Sequence, residues 1–475
     1  MSSFFPTDVL LESFTFPLFD FSYNADHSSM ANSFMKVSDT DPNGGRRGLY
    51  VHIPFCDTIC DFCPFVKSVG TTERIEKYLR ALTEDIKRTA STARAQSWVL
   101  DAIYIGGGTP SVLSPTQATA LIYLIKKEFT LRDKPEITFE VEAKSASNEL
   151  LVAIAEAGVT RISFGIQTLD EPLRKIVNLT ASYTDIERTI ITGNKLFEDV
   201  NVDMIVGFPG QSTKQAMDDL TNAIKLNAKS MSLYPMDYVT VLPKLLNRMR
   251  CGTLPKPAGS KERWNMFNEG RDILKSVYSE QNMYCFGKQG LEASEYMFQI
   301  LYGGYHDQYI GVGSSAYSSI GGILFHNHVS EEQYVDSALT GKSLVQRSSP
   351  GHGYEKELVF FPKRLSIDLT SVKKLGLFNF YNPRVSELEA RGWATINDSS
   401  LKLTELGKRH YYQIMIGFFM DDQRRIYNGA CNRLARDLGL SSSGELLESQ
   451  ANVKGMGTAI SLNAGKTRGK SKIEQ

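Results

Sequence analysis

Six short apolar runs, each followed by a longer amphipathic stretch, fill residues 48–240 and leave few folds open to the chain. The runs are Gly48–Ile53, Ala102–Ile105, Ile137–Val141, Arg161–Phe164, Val202–Val206 and Ser230–Tyr234. Helical patterns lie between them near Glu73–Thr89, Pro115–Phe129, Asn148–Ala157, Asp185–Leu196 and Thr213–Leu226. Strands separated by helices of this length imply βα units and a parallel sheet. The pattern therefore predicts an α/β protein, with six βα units forming a partial (β/α)6 barrel if the sheet curls. One helix start has a local cause: Ser114-Pro-Thr-Gln117 reads as a capping box with proline at the first helical position.

Sites in such architectures gather at the C-terminal ends of the strands, and the motifs of this chain do the same. After the first run come Cys56, Cys60 and Cys63, in the stretch Tyr50-Val-His-Ile-Pro-Phe-Cys-Asp-Thr-Ile-Cys-Asp-Phe-Cys. Zinc and ordinary electron-transfer iron–sulfur centres usually take four protein ligands. Three thiolates on a 4Fe-4S cluster leave one iron open to a small molecule. A zinc knuckle short of a ligand and three buried thiols are the alternatives.

The second run leads into Gly106, Gly107, Gly108 and Thr109. Residues without Cβ let a backbone approach a ligand, although tight strand–helix turns use glycine too. Glu140 ends the third run, Gln167 follows the fourth and Asp203 lies in the fifth. Singly, each reads as a structural hydrogen-bonder; together at one mouth they favour a ligand with ribose hydroxyls and an ammonium group. Phe62, inside the cysteine loop, is placed either to pack on an adenine or to anchor the loop in the core.

Lysine plus arginine balance aspartate plus glutamate at 53 each, so no broad polyanion-binding surface is expected and nucleic acid is disfavoured as a substrate. Cys251, Cys285 and Cys431 are scattered singly and read as lone buried thiols in a reducing compartment. No apolar run is long enough to span a bilayer and the N-terminus has no basic signal-peptide region, so the expected location is cytoplasmic.

These segments resemble the radical S-adenosylmethionine (SAM) superfamily. Tyr50–Cys63, Gly106–Pro110, Ile137–Glu142, Arg161–Asp170 and Val202–Gly210 are similar, in order and spacing, to its oxygen-independent coproporphyrinogen III dehydrogenase group. That group includes haem chaperones, haem-degrading enzymes and class C methyltransferases, and the likeness covers roughly residues 48–420. It implies that Cys56, Cys60 and Cys63 ligate a 4Fe-4S cluster. Tyr50, Gly107, Thr109, Glu140, Gln167 and Asp203 would then contact the first SAM. One-electron cleavage of SAM yields a 5′-deoxyadenosyl radical that abstracts hydrogen. Gly311 and Gly313, in Ile310-Gly-Val-Gly-Ser-Ser-Ala-Tyr, match a stretch near a second SAM, or form a turn that closes the barrel.

The chain also departs from that group. Pro64 and Phe65 stand where the dehydrogenase has a further cysteine. Val177-Asn178-Leu179 replaces a segment bearing an arginine, and Glu142-Ala143-Lys144 replaces an Asn-Pro or Asp-Pro. Lys144 or Arg174 would have to supply the missing charge. The expectation drawn is a class C C-methyltransferase using two SAM molecules on an sp2 carbon of an aromatic, heterocyclic or quinone substrate such as menaquinone. The alternatives are a tetrapyrrole-active enzyme and a haem chaperone. A porphyrin would want convergent arginines, for which Arg248 and Arg250 lie in a suitable region. The expected partners are a lipophilic small molecule and an electron donor such as flavodoxin or ferredoxin; peripheral membrane contact would follow from a quinone substrate.

The domain reading is a Phe-rich arm (1–47), the barrel (48–240), an adjunct region (241–330) with a long helix at Lys261–Met283, and a C-terminal α+β winged-helix-like module (331–440). The module rests on a helix at Asn382–Arg391, a hairpin turning at Asn397–Ser400 and a helix from Thr404. The remainder, 441–475, reads as a disordered basic tail. His326 and His328 share a strand face without an evident third ligand and read as structural.

Overall fold

In the computed structural model, which describes residues 3–6, 27–41, 44–63, 65–238, 241–349, 355–374 and 376–438, alternate strand residues divide an apolar face from a polar one. Strands β1 (Arg47–Ile53), β2 (Leu100–Gly107), β3 (Leu131–Glu140), β4 (Arg161–Gln167), β5 (Asp199–Val206) and β6 (Ser230–Pro235) pair in parallel in that order. In β5, Val200, Val202, Met204 and Val206 join the main core. Asp199, Asn201 and Asp203 point the other way, as period-two geometry requires.

Helices α1 (Thr72–Ala90), α2 (Pro115–Glu128), α3 (Asn148–Glu156), α4 (Tyr183–Leu196) and α5 (Thr213–Lys225) follow the first five strands. Their starts are written locally. Ser114 with Gln117, Ser182 with Asp185 and Ser212 with Gln215 form complete capping boxes. Each cap contributes about 1 kcal/mol and fixes where the chain leaves its loop. Two further helices, α6 (Pro243–Arg250) and α7 (Ser260–Lys275), follow β6. The helical pattern expected as far as Met283 therefore ends at Lys275, and the chain continues as strand β7 (Ser279–Glu280).

The sheet grows on both sides. Strand β8 (Cys285–Gly287) pairs antiparallel with β6 and carries β7 outside it. On the other side β9 (Gln308–Val312) lies parallel to β1, then β10 (Tyr317–Ile320), β11 (Ile323–Asn327) and β12 (Val345–Ser349) form an antiparallel meander. The result is a twelve-stranded sheet whose edge strands do not pair, a partial barrel with β12 and β7 at its open sides. The main sheet thus extends to Ser349.

Two arrangements fill the inner face. On β4–β6, Arg161 Nε pairs with Asp199 Oδ2 at 2.8 Å, Ser230 Oγ donates to Asp199, and Asn201 donates to Ser163 and Asp203. Buried charge of this kind persists because it is paired and hydrogen-bonded. On β1, β2 and β9, Tyr50, Tyr104 and Tyr309 pack with Tyr296 and Ile300 from a helical segment, Glu295–Leu301. Glu136 of β3 holds the start of that segment by accepting from Ser294 Oγ and the Glu295 N–H, both at 2.7 Å. The lower interior is therefore packed, and the upper strand ends carry the polar motifs.

Beyond the sheet, β13 (Ser366–Asp368), β14 (Ala394–Ile396) and β15 (Ser400–Leu403) form a small antiparallel sheet. A helix at Phe378–Ala390 precedes the hairpin. Asn397 Oδ1 accepts from the Ser399 and Ser400 N–H groups in the hairpin turn, and Thr404 caps the helix that follows. Phe5 is buried in this module against Trp393 and Phe418, with ring centroids 5.8 and 6.1 Å away. Residues 7–26 of the Phe-rich arm and the basic tail from 441 lie outside the described residues.

Candidate functional site

Cys56, Cys60 and Cys63 lie on the loop leaving β1, the first buried and the others half-buried. The loop is clasped from several sides. The Asp61 N–H donates to Val177 O at 3.0 Å, and Asn178 Nδ2 donates to Ile59 O at 2.8 Å. The buried Asp61 carboxylate pairs with Lys244 Nζ at 2.9 Å and Arg248 at 3.2 Å, both on α6. Lys67 Nζ donates to Cys63 O at 2.8 Å. Thr109 Oγ1 donates to Cys56 Sγ at 3.3 Å, joining the loop after β2 to the thiols.

Burial pushes the free thiols up, Cys56 to about 11 and Cys60 to about 12, so metal binding has to displace their protons. Among the described residues no three His, Cys, Asp or Glu side chains are grouped to hold one metal ion. A cubane cluster takes one thiolate at each of three irons and needs them more widely spread than a single ion does. Three soft donors on one clasped loop fit such a cluster.

Beside the loop, Tyr50 OH bonds to His52 Nδ1 at 2.9 Å while His52 Nε2 bonds to Val66 O at 3.2 Å. Burial holds the imidazole neutral, its pKa lowered to about 4. Gly107 has φ +118° and a Cβ there would sit 2.7 Å from the His52 ring, so only glycine passes. A Cβ on Gly106 would meet Glu140 Oε2 at 2.5 Å, and one on Gly108 would meet Phe55 O at 2.6 Å. The glycine run is thus required by the protein's own packing.

Glu140 accepts from Tyr104 OH at 2.5 Å and from the Gly107 N–H at 2.9 Å; burial raises its pKa to about 7. Asp203 is also raised by burial, against the hydrogen bond from Asn201. Gln167 stands out. It adopts φ +65° where the β4–β5 register shifts, and its Oε1 is buried with no partner among the described residues. An orphaned acceptor on a strained backbone at a barrel mouth marks a position shaped for something other than the chain.

Phe62 packs edge-on to Phe208 at 6.0 Å, which fits the loop-anchor reading. Arg174 is buried and donates to the carbonyls of Ile166, Thr168 and Ala181, so its charge is already engaged; Lys144 is exposed. Gly311 pairs with Tyr50 across β9 and β1. Gly313 has φ +101°, donates its N–H to Asp85 at 2.9 Å and has room for no Cβ, which would lie 2.6 Å from His52 O. Gly313 thus lets the chain pass close to β1, whereas a Cβ on Gly311 would meet Tyr317 O of β10 at 2.1 Å. Arg248 is engaged by Asp61 and Arg250 bonds to Asn247, so the two do not converge. His326 and His328 are bonded to Ser315 and to Ser343 O. Cys251, expected buried, is exposed. The sequence reading missed Asp61, Lys244 and Asn178 as loop supports. An acid between two cysteines was the one available signal.

A model of the radical SAM superfamily matches residues 50–222. A protein of Lactococcus lactis subsp. lactis named heme chaperone HemW is 28% identical over 389 residues, covering 78% of this chain and 97% of that protein. The heme chaperone HemW of Bacillus subtilis is 30% identical over 300 residues, 61% of this chain and 75% of the relative. Coproporphyrinogen III oxidase (HemN) from Escherichia coli, described as a radical SAM enzyme, matches in structure with a TM-score of 0.67. The identity there is 22%, with 79% of this chain and 90% of that one covered. Fold and cysteine loop together define a radical SAM protein, a class that implies a 4Fe-4S cluster and SAM. Within that class the chain belongs to the coproporphyrinogen oxidase-like group that holds HemW and HemN.

One expectation falls at this point. The relatives matched over most of their length are named heme chaperones and the matching fold is that of a coproporphyrinogen oxidase, so the class C quinone methyltransferase reading is set aside. That reading rested on the retained SAM motifs, the stretch around Gly311 and Gly313, and the replaced dehydrogenase positions. No helix among the described residues is long and apolar enough to cross a membrane.

Proposed function

We propose that this chain is a haem-handling radical SAM protein of the chaperone type, in which haem is cargo. The observation that carries this reading is its 28% identity to a heme chaperone along 97% of that relative. Cys56, Cys60 and Cys63 would hold the cluster through their thiolates. Tyr50, Gly107, Glu140, Gln167 and Asp203 would line the SAM site, where Gln167 Oε1, buried with no acceptor role filled among the described residues, would be free to accept a hydrogen bond. Cluster and SAM, when bound, supply one-electron chemistry, fed by a donor such as flavodoxin or ferredoxin.

The chain's own contribution is orientation and exclusion of water. The clasp on Asp61 fixes the thiols, and Glu140, raised to about 7 by burial, presents a carboxyl whose oxygens can exchange chain partners for ligand hydroxyls. Thr109 orients Cys56 through its hydroxyl.

The test is an anaerobic titration of the purified full-length protein with haemin, followed by absorbance, together with assays of SAM cleavage. The reading expects one haem per chain, and release of 5′-deoxyadenosine uncoupled from any change in the tetrapyrrole. Decarboxylation of coproporphyrinogen III in step with deoxyadenosine release would replace it with an oxidase.

A further inference from the structure

Three cations stand close together in the stretch from Lys356 to Arg364, and two of them are bonded to the chain. Lys356 Nζ donates to the carbonyls of Ile300, at 2.9 Å, and Asp307. Arg364 donates to the carbonyls of Tyr302, Gly303 and Lys356 and to the Glu357 carboxylate. Lys363 differs. Only 1% of it is exposed, and its Nζ has no hydrogen-bond acceptor among the described residues. The ammonium lies over the rings of Tyr302, Phe360 and Tyr284, at 4.3, 5.2 and 5.6 Å from their centroids.

Of the lysines buried among the described residues, Lys356 has carbonyls and Lys408 has Glu280 and Glu405, whereas Lys363 has only π faces. Ring faces stabilise a cation by less than its removal from water costs. Burial accordingly lowers its pKa to about 7, opposed by attraction to Asp237, two residues beyond β6. The aromatic surround leads back to the site: Tyr284 lies 5.1 Å from Tyr234 of β6, and Tyr234 feels the charge of Asp203. An unmatched donor at the end of an aromatic path from the SAM mouth lacks one thing, an anionic acceptor.

We propose that Lys363 binds a carboxylate of the ligand held over the β6 side of the barrel, a propionate of the tetrapyrrole. This rests on the haem-handling reading above. The three rings are themselves buried and hold the ammonium when no acid is present; a carboxylate offers it the charged partner that they do not. The backbone stays in place, with Lys363 O accepting from the Met283 N–H at 2.9 Å, and the flexible stem turns the ammonium from the rings to the ligand.

The test compares haemin with haemin dimethyl ester, in which both propionates are masked, on wild-type protein and on Lys363→Met and Lys363→Arg. Methionine keeps the apolar volume and removes the charge, and thermal unfolding verifies that the variant is folded; Lys363→Gln replaces it if it is not. The wild type is expected to prefer the free acid by about tenfold or more, the value of a charge-assisted hydrogen bond. Lys363→Met should lose that preference while binding the ester unchanged, and Lys363→Arg should restore part of it. A folded Lys363→Met that keeps the full preference overturns the inference and leaves the haem reading standing. A loss of SAM affinity with the haemin preference intact would assign Lys363 to the cofactor's carboxylate and also overturn it. Wild-type protein that binds neither porphyrin removes the haem reading, and this inference with it.

Discussion

The side chain of Asn178 donates to the carbonyl of Ile59 at 2.8 Å, tying the turn after α-helical residues Glu171–Ile176 to the cysteine loop. This is the segment where relatives were expected to carry an arginine for the SAM carboxylate. Here it supports the loop instead. Asn178 adopts φ +61°, which asparagine tolerates better than most residues. Asn178→Gly keeps that backbone and removes the hydrogen bond, whereas Asn178→Ala loses both. Glycine should cost about 1 kcal/mol and alanine more. Denaturant unfolding of the apo-protein reads the difference, and equal costs would show that the backbone conformation contributes nothing.

Asp61 gives the second prediction. Its carboxylate is buried while Lys244 and Arg248 are partly exposed, so removing the acid leaves two cations that water can take up. Asp61→Asn should destabilise the fold by only about 1–3 kcal/mol, yet loosen the thiols, so that a reconstituted cluster is lost to a chelator faster than in the wild type. An unchanged rate of loss would mean that the Val177 and Asn178 bonds alone hold the loop.

Gln167 should behave against the usual trend. Most substitutions destabilise, but Gln167→Gly relieves a positive φ and removes a buried acceptor with no partner. Its unfolding free energy should equal or exceed that of the wild type while SAM affinity falls, measured by calorimetry. A marked loss of stability would show that the side chain holds the mouth together by itself.

His326 sets a pH dependence. It stacks on Tyr317 at 4.0 Å, and burial lowers its pKa to about 3, from 6.5. The unfolded chain then binds the proton that the folded chain refuses, so this contribution is fully favourable above pH 6.5 and is lost as pH falls from there toward 3. His326→Phe keeps the ring stack and cannot titrate. Wild type should therefore lose about 2 kcal/mol relative to the variant between pH 7 and pH 5. A difference independent of pH would show that His326 takes up its proton in the folded chain as readily as in the unfolded one.

Much of the barrel was legible because its signals are local. The six runs became β1–β6, Ser114 and Gln117 form their capping box, and the cysteines follow β1 directly. What stayed hidden depends on contacts between distant parts of the chain. Gln308–Val312 pairs with β1 across most of the sequence, and only that pairing explains why Gly313 has no room for a side chain. The role of Asp61 depends on α6, which brings Lys244 and Arg248 to it. Nothing in the sequence around Lys363 marks it, because the three rings that close over it come from separate parts of the chain. Function was legible to the level of the superfamily, because SAM-binding motifs do not distinguish its branches.

On the function proposed here, Cys56, Cys60 and Cys63 alone would hold a cluster with an open iron. Anaerobic reconstitution followed by iron and sulfide analysis and by paramagnetic resonance of the reduced protein, with and without SAM, tests it most directly. Wild type should carry about four irons and four sulfides per chain, with a signal that changes on adding SAM. The triple cysteine-to-alanine variant should stay folded, carry none and cleave no SAM. A triple variant that retains full iron content and still releases 5′-deoxyadenosine would contradict the account.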